Sequence, residues 1–381
     1  MVLNANKKHG CENDEFARKT IMKKILIICN TYYQVIEMIQ LRLTLFKDDM
    51  VTSVISDCSN NAENVSNRLK DIKIFNDSYF VKRKAMLARK KLFLDKVKSV
   101  PMFIFGKGSV WDEMPFDNFD EMIFFNQDDD IFVLYAKLYE RNQNLQVSRF
   151  EESIYSYESG RWAALKYSIA QAFRKLIGKK SLEEAYRNFY CYFPELYHGN
   201  MIPIKIPAIS ANGRLPDILN TIFDLHIQEN AYSYRYIFFS STGDIEGGKP
   251  IGELDLIKDV ARLVGNDNLL VKVHPRDNVD RFIKEGLHVD INSNVPWEII
   301  QLGRDFSHHI FLSVNSTSVI TVTLLQENPP TVFYMYKLCN INANMSIKSS
   351  LNSLEGIIHG NFMKHRKTRI LVAEKLEDIL D

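Results

Sequence analysis

The chain has 381 residues, enough for two domains at about 100–200 residues each. It is 46% hydrophobic and 25% charged, and its 12% aromatic content excludes a disordered chain. Lys+Arg 48 nearly cancels Asp+Glu 47, so no global field selects nucleic acid.

Residues 1–21 are polar, lack an apolar run of the secretory type and are read as a disordered extension ahead of Met22. Ile25–Cys29 is a continuous apolar run, the pattern of a strand buried on both faces. A helical pattern follows over Val35–Phe46, then a strand over Val51–Ser56, a helix over Val65–Ile72 and a short strand within Lys73–Val81. Residues 82–98 read as a basic helix. Pro101–Phe105, Glu121–Phe125 and Leu145–Phe150 read as strands, with Ile131–Arg141 helical. Trp162–Tyr192 reads as mostly helical, and Pro203–Pro207 with residues 209–230 as a linker. The alternation then restarts. Tyr236–Phe239, Leu269–Val273, Ile310–Val314 and Thr331–Tyr334 are predicted strands. Gly252–Val264, Pro296–Leu302, Ser318–Gln326 and Ala373–Leu380 are predicted helices. Such alternation predicts parallel sheets wound on both faces. The domains expected are residues 22–208 and 231–381, two Rossmann-like halves with a cleft between them.

The five cysteines (Cys11, Cys29, Cys58, Cys191, Cys339) are scattered and odd in number, which fits reduced thiols in a cytoplasmic protein. The run Ile310–Gln326 lacks charge but carries eight hydroxyl or amide side chains, too polar to span a bilayer.

In open parallel sheets, ligands sit beyond the C-terminal strand ends, so the residues that follow each strand are the informative ones. Glu151 and Glu152 follow Leu145–Phe150; they are a candidate base pair or simply solvated loop acids. His274-Pro275-Arg276 follows Leu269–Val273, where proline ends the ladder. The imidazole there suits a leaving phosphate, or a capping role. Asn315-Ser316-Thr317-Ser318 follows Ile310–Val314 and opens a helix, an anion seat or an ordinary N-cap. Ser240-Ser241-Thr242-Gly243 follows Tyr236–Phe239 as a turn or a nucleotide loop. Glu298 in Pro296-Trp297-Glu298 suits two ribose hydroxyls, or the first turn of a helix. Asp128-Asp129-Asp130 contains a formal DxD but directly precedes an apolar helix, so it reads as an N-terminal cap. No convincing acidic metal site is present, which favours a metal-independent reaction. Residues 82–98 hold eight basic side chains against Asp95, interleaved with apolar ones. That stretch is either a solvated face or a peripheral seat on an anionic inner membrane surface.

These pieces, in this order, resemble glycosyltransferase family 52, the bacterial sialyltransferases and related transferases of surface polysaccharides and lipo-oligosaccharides. ILIICNTYYQV resembles the family's first strand and loop, with Tyr32 where proline is usual. FEESIYSY resembles an acidic-acidic-Gly segment, with Ser153 in place of Gly. VKVHPRD, VPWEI and SVNSTSV resemble its His-Pro, ribose-binding and phosphate-binding segments. The resemblance implies an α/β GT-B fold and inverting transfer of sialic acid from CMP-sialic acid to a galactose-type hydroxyl. It implies Glu152 as base with Glu151 orienting, and His274 at the leaving phosphate. Ser316, Thr317 and Ser318 would cradle that phosphate beside Pro275, and Glu298 would hold the ribose. Ser240, Ser241, Thr242 and Gly243 would line the cytidine pocket, with Gln34 and Asn126 in the acceptor cleft. Asp244, Glu246, Glu253 and Asp255 stand as alternative bases from the second half. No metal or cofactor beyond the donor is expected. Partners are the donor and a glycan or glycolipid acceptor, with a homodimer as an option. A hexosyltransferase using another nucleotide sugar, or a non-catalytic two-domain sugar-binding protein, is the competing reading.

Overall fold

The computed structural model describes residues 22–380 except 60, 84–109, 113, 117, 126–127, 153, 158–171, 173, 208–213, 225–230, 246–248, 275, 291, 293–294, 302–303, 326–327, 345–347, 349–350, 352–353, 357 and 359–368. The predicted strand Pro101–Phe105, most of the basic segment, Asn126, Ser153, Glu246 and Pro275 therefore lie outside the described residues.

The first half carries β1 (Lys24–Cys29), α1 (Tyr32–Leu43), β2 (Met50–Ser56), α2 (Ala62–Ile72), β3 (Asp77–Val81), β4 (Glu121–Phe124), α3 (Asp129–Tyr139) and β5 (Gln146–Phe150). It continues with α4 (Leu182–Ala185), β6 (Tyr186–Cys191), β7 (Ile202–Lys205) and α5 (Arg214–Phe223). The second half carries β8 (Tyr236–Phe239), α6 (Glu253–Val264), β9 (Leu269–Lys272), α7 (Asp280–Ile283) and α8 (Trp297–Ile300). It ends with β10 (Ile310–Ser313), α9 (Ser318–Leu325), β11 (Thr331–Tyr334) and β12 (Arg369–Val372).

The first sheet runs β3-β2-β1-β4-β5-β6-β7 and the second β12-β11-β10-β8-β9. Every described pairing is parallel. The chain thus adopts the two Rossmann-like units of a GT-B fold. The apolar runs explain it: Ile25–Cys29 and Tyr236–Phe239 are buried throughout, as strands covered on both faces must be. Each sheet has a switch point where strand order reverses, β1/β4 in the first and β8/β10 in the second. Ligand crevices open at such points. One apolar cluster is continuous across both halves, from Ile27 and Ile39 to Phe238 and Phe311.

Five segments differ from the sequence reading. Tyr186–Cys191, read as the end of a helical region, is a strand; its aromatic run NFYC fills the sheet face. Ile202–Lys205, read as linker, is an edge strand, where Pro203 costs no ladder bond to a further neighbour. Arg369–Val372 is a strand that the pattern did not show, and Leu376–Leu380 forms only tight 3-10 turns. Within 209–230, Arg214–Phe223 forms a helix with Leu215, Ile218, Leu219 and Ile222 buried on one face. Arg68 of α2 clamps its end, donating from Nη1 to Ile222 O (3.2 Å) and from Nη2 to Asp224 Oδ2 (2.9 Å). Pro216 and Asn220 looked like linker punctuation, yet proline fits the first turn of a helix.

Among the described residues no helix is long and apolar enough to cross a membrane. The helix over 214–223 packs as core, so Leu219→Ala should cost about 2–5 kcal/mol in urea unfolding. A loss under about 0.5 kcal/mol is the result for a solvated linker.

Candidate active site at the sheet edges

In the first half, the loop after β1 and the loop after β5 meet. Thr31 caps α1, its side chain accepting from the Gln34 N–H (3.4 Å). That sets Gln34 in the first turn, fully buried. Gln34 Oε1 accepts from the Asn30 N–H (2.6 Å), and Gln34 Nε2 donates to Glu152 Oε1 (2.7 Å). Glu152 is half-buried, whereas Glu151 beside it is buried. Glu151 accepts from Tyr33 Oη (2.6 Å) and the Tyr192 N–H (2.9 Å), and also from Tyr157 Oη. Burial pushes both carboxyls up to about 7, although the hydrogen bonds from Tyr33 and Gln34 oppose it.

In the second half, β10, β8 and β9 are adjacent, and Ser313, Phe239 and Lys272 lie level in register. The loops that follow them therefore leave one sheet edge side by side. Ser240 Oγ accepts from the His274 N–H (2.9 Å), tying the β8 and β9 loops together. His274 Nδ1 accepts from the Arg276 N–H (3.1 Å), which puts the proton of the neutral ring on Nε2. The ring is half-buried. On the other side of β8, Ser313 Oγ donates to Phe239 O (2.9 Å) and accepts from the Ser316 N–H (2.9 Å). Thr317 O accepts from the Ile320 and Thr321 N–H groups (3.0 and 3.1 Å), opening α9. Ser316, Thr317 and Ser318 are half-buried at that helix start. Ser241 and Gly243 are buried, Thr242 half-buried; Ser241 Oγ accepts from the Gly243 N–H (3.1 Å), and a Cβ at Gly243 would run into Ile251.

The alternative bases occupy different settings. Asp244 is partly buried, which opposes ionisation, but its carboxylate accepts from four backbone N–H groups. Oδ1 takes those of Ile251, Gly252 and Glu253 (2.9–3.1 Å) and Oδ2 that of Leu254 (2.9 Å). With Arg281 Nη2 at 2.9 Å, these hold it below the usual carboxylate range. It is the anionic cap of α6. Glu253 is buried, raised to about 8 by burial, and accepts the Ser241 N–H on both oxygens (3.0 Å). Asp255 is 83% exposed beside Lys258.

The two halves meet electrostatically at Glu37. It lies one turn beyond Gln34 on α1, is fully buried, and neither carboxyl oxygen has a hydrogen-bond partner among the described residues. Burial pushes its carboxyl well up, and the charges of Glu151, Glu152 and Glu298 add to the push. The first two belong to the first half; Glu298 stands on α8 of the second. Glu298 is itself raised by burial, against the pull of Lys272. Lys272 is buried, salt-bridged to Asp290 (2.8 Å), with Nζ donating to Asn292 O (2.7 Å).

Of the residues singled out in the sequence, Gln34, Glu151, Glu152, Ser240–Gly243, His274 and Ser316–Ser318 lie beyond strand ends of the two sheets, and Glu298 stands on α8. Sequence reasoning missed Tyr33, Glu37, Tyr157 and Lys272. Two of these carried a signal: Glu37 is a carboxylate on an apolar helix face, and Lys272 interrupts the buried run LLVKV. The aspartates 128–130 do cap α3, with Asp128 Oδ1 accepting from the Ile131 N–H (3.2 Å). Arg83, counted with the basic face, is instead buried against Asp128 and Asp130.

No family model matches the chain, and no curated protein does. Solved structures resemble it in overall arrangement. A Streptomyces glycosyltransferase complexed with thymidine diphosphate is 10% identical, TM-score 0.48, covering 94% of this chain and 89% of that one. An α/β-galactoside α-2,3-sialyltransferase from Photobacterium phosphoreum is 10% identical, TM-score 0.47, with 93% and 98% covered. A putative UDP-N-acetylglucosamine 2-epimerase from Listeria monocytogenes is 14% identical, TM-score 0.42, with 88% and 89% covered.

Raised carboxyls tie stability to pH. Their folded-state values lie above the ordinary 4.5, about 7 for Glu151 and Glu152, so the folded chain holds protons that the unfolded chain releases. That contribution is complete below 4.5 and is lost as pH rises through about 7. The Tm should therefore fall between about pH 5 and pH 8, and Glu37→Gln should flatten the slope and raise the Tm at pH 8. A lower Tm for that variant at pH 8 would mean that Glu37 is held ionised by a partner.

Proposed function

We propose that the chain is an inverting sialyltransferase that moves sialic acid from CMP-sialic acid to a galactose-type hydroxyl of a bacterial surface glycan. One observation carries the reading. Three adjacent parallel strands deliver Ser240, His274 and Ser316–Thr317 to one sheet edge, and the Glu37 field links that half to the Gln34–Glu152 pair.

The roles follow from the chemistry. The oxygen of Glu152 that does not face Gln34 takes the acceptor proton as the hydroxyl oxygen attacks the anomeric carbon. The new C–O bond forms as the bond to the CMP phosphate breaks, and CMP leaves with the electron pair. The Nε2–H of His274 donates to the departing phosphate oxygen. Hydroxyls of Ser316, Thr317 and Ser318, with the first N–H groups of α9, receive its charge. A monophosphate leaving group suits such neutral donors without a divalent cation. Glu298, at the start of α8, binds the ribose hydroxyls, and the Ser240–Gly243 turn lies against the cytidine. Glu151 is a positioning residue, because its two tyrosines and the Tyr192 N–H occupy it. Asp244 is disfavoured as base because backbone N–H groups and Arg281 saturate it.

Two measurements test this. Incubation with CMP-sialic acid and lactose should release CMP, and Glu152→Gln should cut turnover by about 10²-fold or more while sparing donor KM. Because the base must be ionised, the acid limb of kcat/KM should lie near pH 7, where burial sets the Glu152 carboxyl. Separately, CMP should raise the Tm where UDP and GDP do not. Protection by UDP alone would move the reading to a hexosyltransferase.

A further inference from the structure

A chain of hydrogen bonds runs from a buried guanidinium to the carboxylate read as the base. Arg83 lies two residues beyond β3 and is fully buried. Its Nη2 contacts both oxygens of Asp128 (2.7 and 2.8 Å) and Oδ1 of Asp130 (2.9 Å), and its Nε meets Asp130 Oδ2. Nη1 donates to Asn30 Oδ1 at 2.6 Å, where Ser56 Oγ also donates at 2.8 Å. Asn30 in turn presents its backbone N–H to Gln34 Oε1, and Gln34 Nε2 holds Glu152.

Each link removes a freedom. A glutamine side chain can present either end to a neighbour. The Asn30 N–H engages the carbonyl, so the amide hydrogens face the carboxylate. With the amide reversed, a carbonyl oxygen would face Glu152 and favour its protonated form. Asn30 is fixed by a planar guanidinium that two carboxylates lock in orientation, a geometry that an ammonium cannot reproduce.

We propose that Arg83 is a positioning residue: acting through Asn30 and Gln34, it fixes the Glu152 carboxylate at the C-terminal edge of the first sheet. Its meaning for catalysis rests on the reading of Glu152 as base, but the coupling itself is measurable without substrate. In protein labelled with 13C at glutamate Cδ, the Glu152 signal is identified by its loss in Glu152→Gln, then titrated. Asn30→Ala keeps the backbone N–H and the Arg83–aspartate pairs and removes the side-chain amide that carries the relay oxygen. The Glu152 midpoint should rise by about half a unit or more. Gln34→Leu should raise it at least as far, and the double variant no further, because both cut one path. Arg83→Lys, which retains charge for the aspartates but not the reach to Asn30, should act like Asn30→Ala and stands in if that variant does not fold. Folded Asn30→Ala and Arg83→Lys proteins with the wild-type midpoint overturn the proposal. CMP release from CMP-sialic acid separates the two readings. If Glu152→Gln stays active while the midpoints shift, the base assignment falls and the positioning of the carboxylate stands.

Discussion

Where the two sheets meet, burial pushes four carboxyls above their ordinary range. Glu37, Glu151, Glu152 and Glu298 come from three strand-end loops or helix starts in two different halves, and each is pushed up by burial. Charges in such a setting repel strongly, so each must be protonated, hydrogen-bonded or matched by a cation. The chain uses different answers at each position. Glu151 receives two tyrosine hydroxyls and a backbone N–H. Glu152 receives the Gln34 amide and the Thr31 side chain. Glu298 feels the buried ammonium of Lys272. Glu37 has no hydrogen bond among the described residues, so the neutral form is favoured there. Of the four, Glu152 combines half exposure with a carboxyl near neutrality, which is what a general base needs.

The fold supplies the rest by register. Parallel strands end together, so residues far apart in sequence emerge at one edge without any dedicated support. Phe239, Lys272 and Ser313 are level, and the residues just beyond them are the hydroxyls and the imidazole. The loops are then cross-tied, Ser240 to His274 and Ser313 to Ser316. These ties fix the backbone of the loops at that edge. Asp244 shows the opposite economy: a carboxylate close to the same edge is wholly consumed in capping α6.

The sheets were legible in the sequence because strands buried on both faces are short, continuous apolar runs. Ile25–Cys29, Tyr236–Phe239 and Thr331–Tyr334 announce themselves in this way. Two of the edge strands did not, since β7 and β12 are half-exposed and β7 contains a proline. Glu151, Glu152, His274 and Ser316 could be named because each directly follows a legible strand. Tyr33 and Tyr157 could not, because their importance lies in partners supplied by other elements, while Glu37 and Lys272 stand out in the sequence only as charges within apolar patterns. Arg83 was the most misleading: its neighbours are basic, and only the fold shows that two aspartates some 45 residues later enclose it.

The central claim is that the imidazole of His274 and the hydroxyls of Ser316 and Thr317 serve one phosphate. The most direct measurement is a crystal structure of the chain soaked with CMP. One phosphate oxygen should lie within hydrogen-bond distance of His274 Nε2 and another at Ser316 or Thr317, with the ribose at Glu298. CMP bound away from the C-terminal ends of β8, β9 and β10, or a phosphate that reaches only one of the two groups, would contradict it.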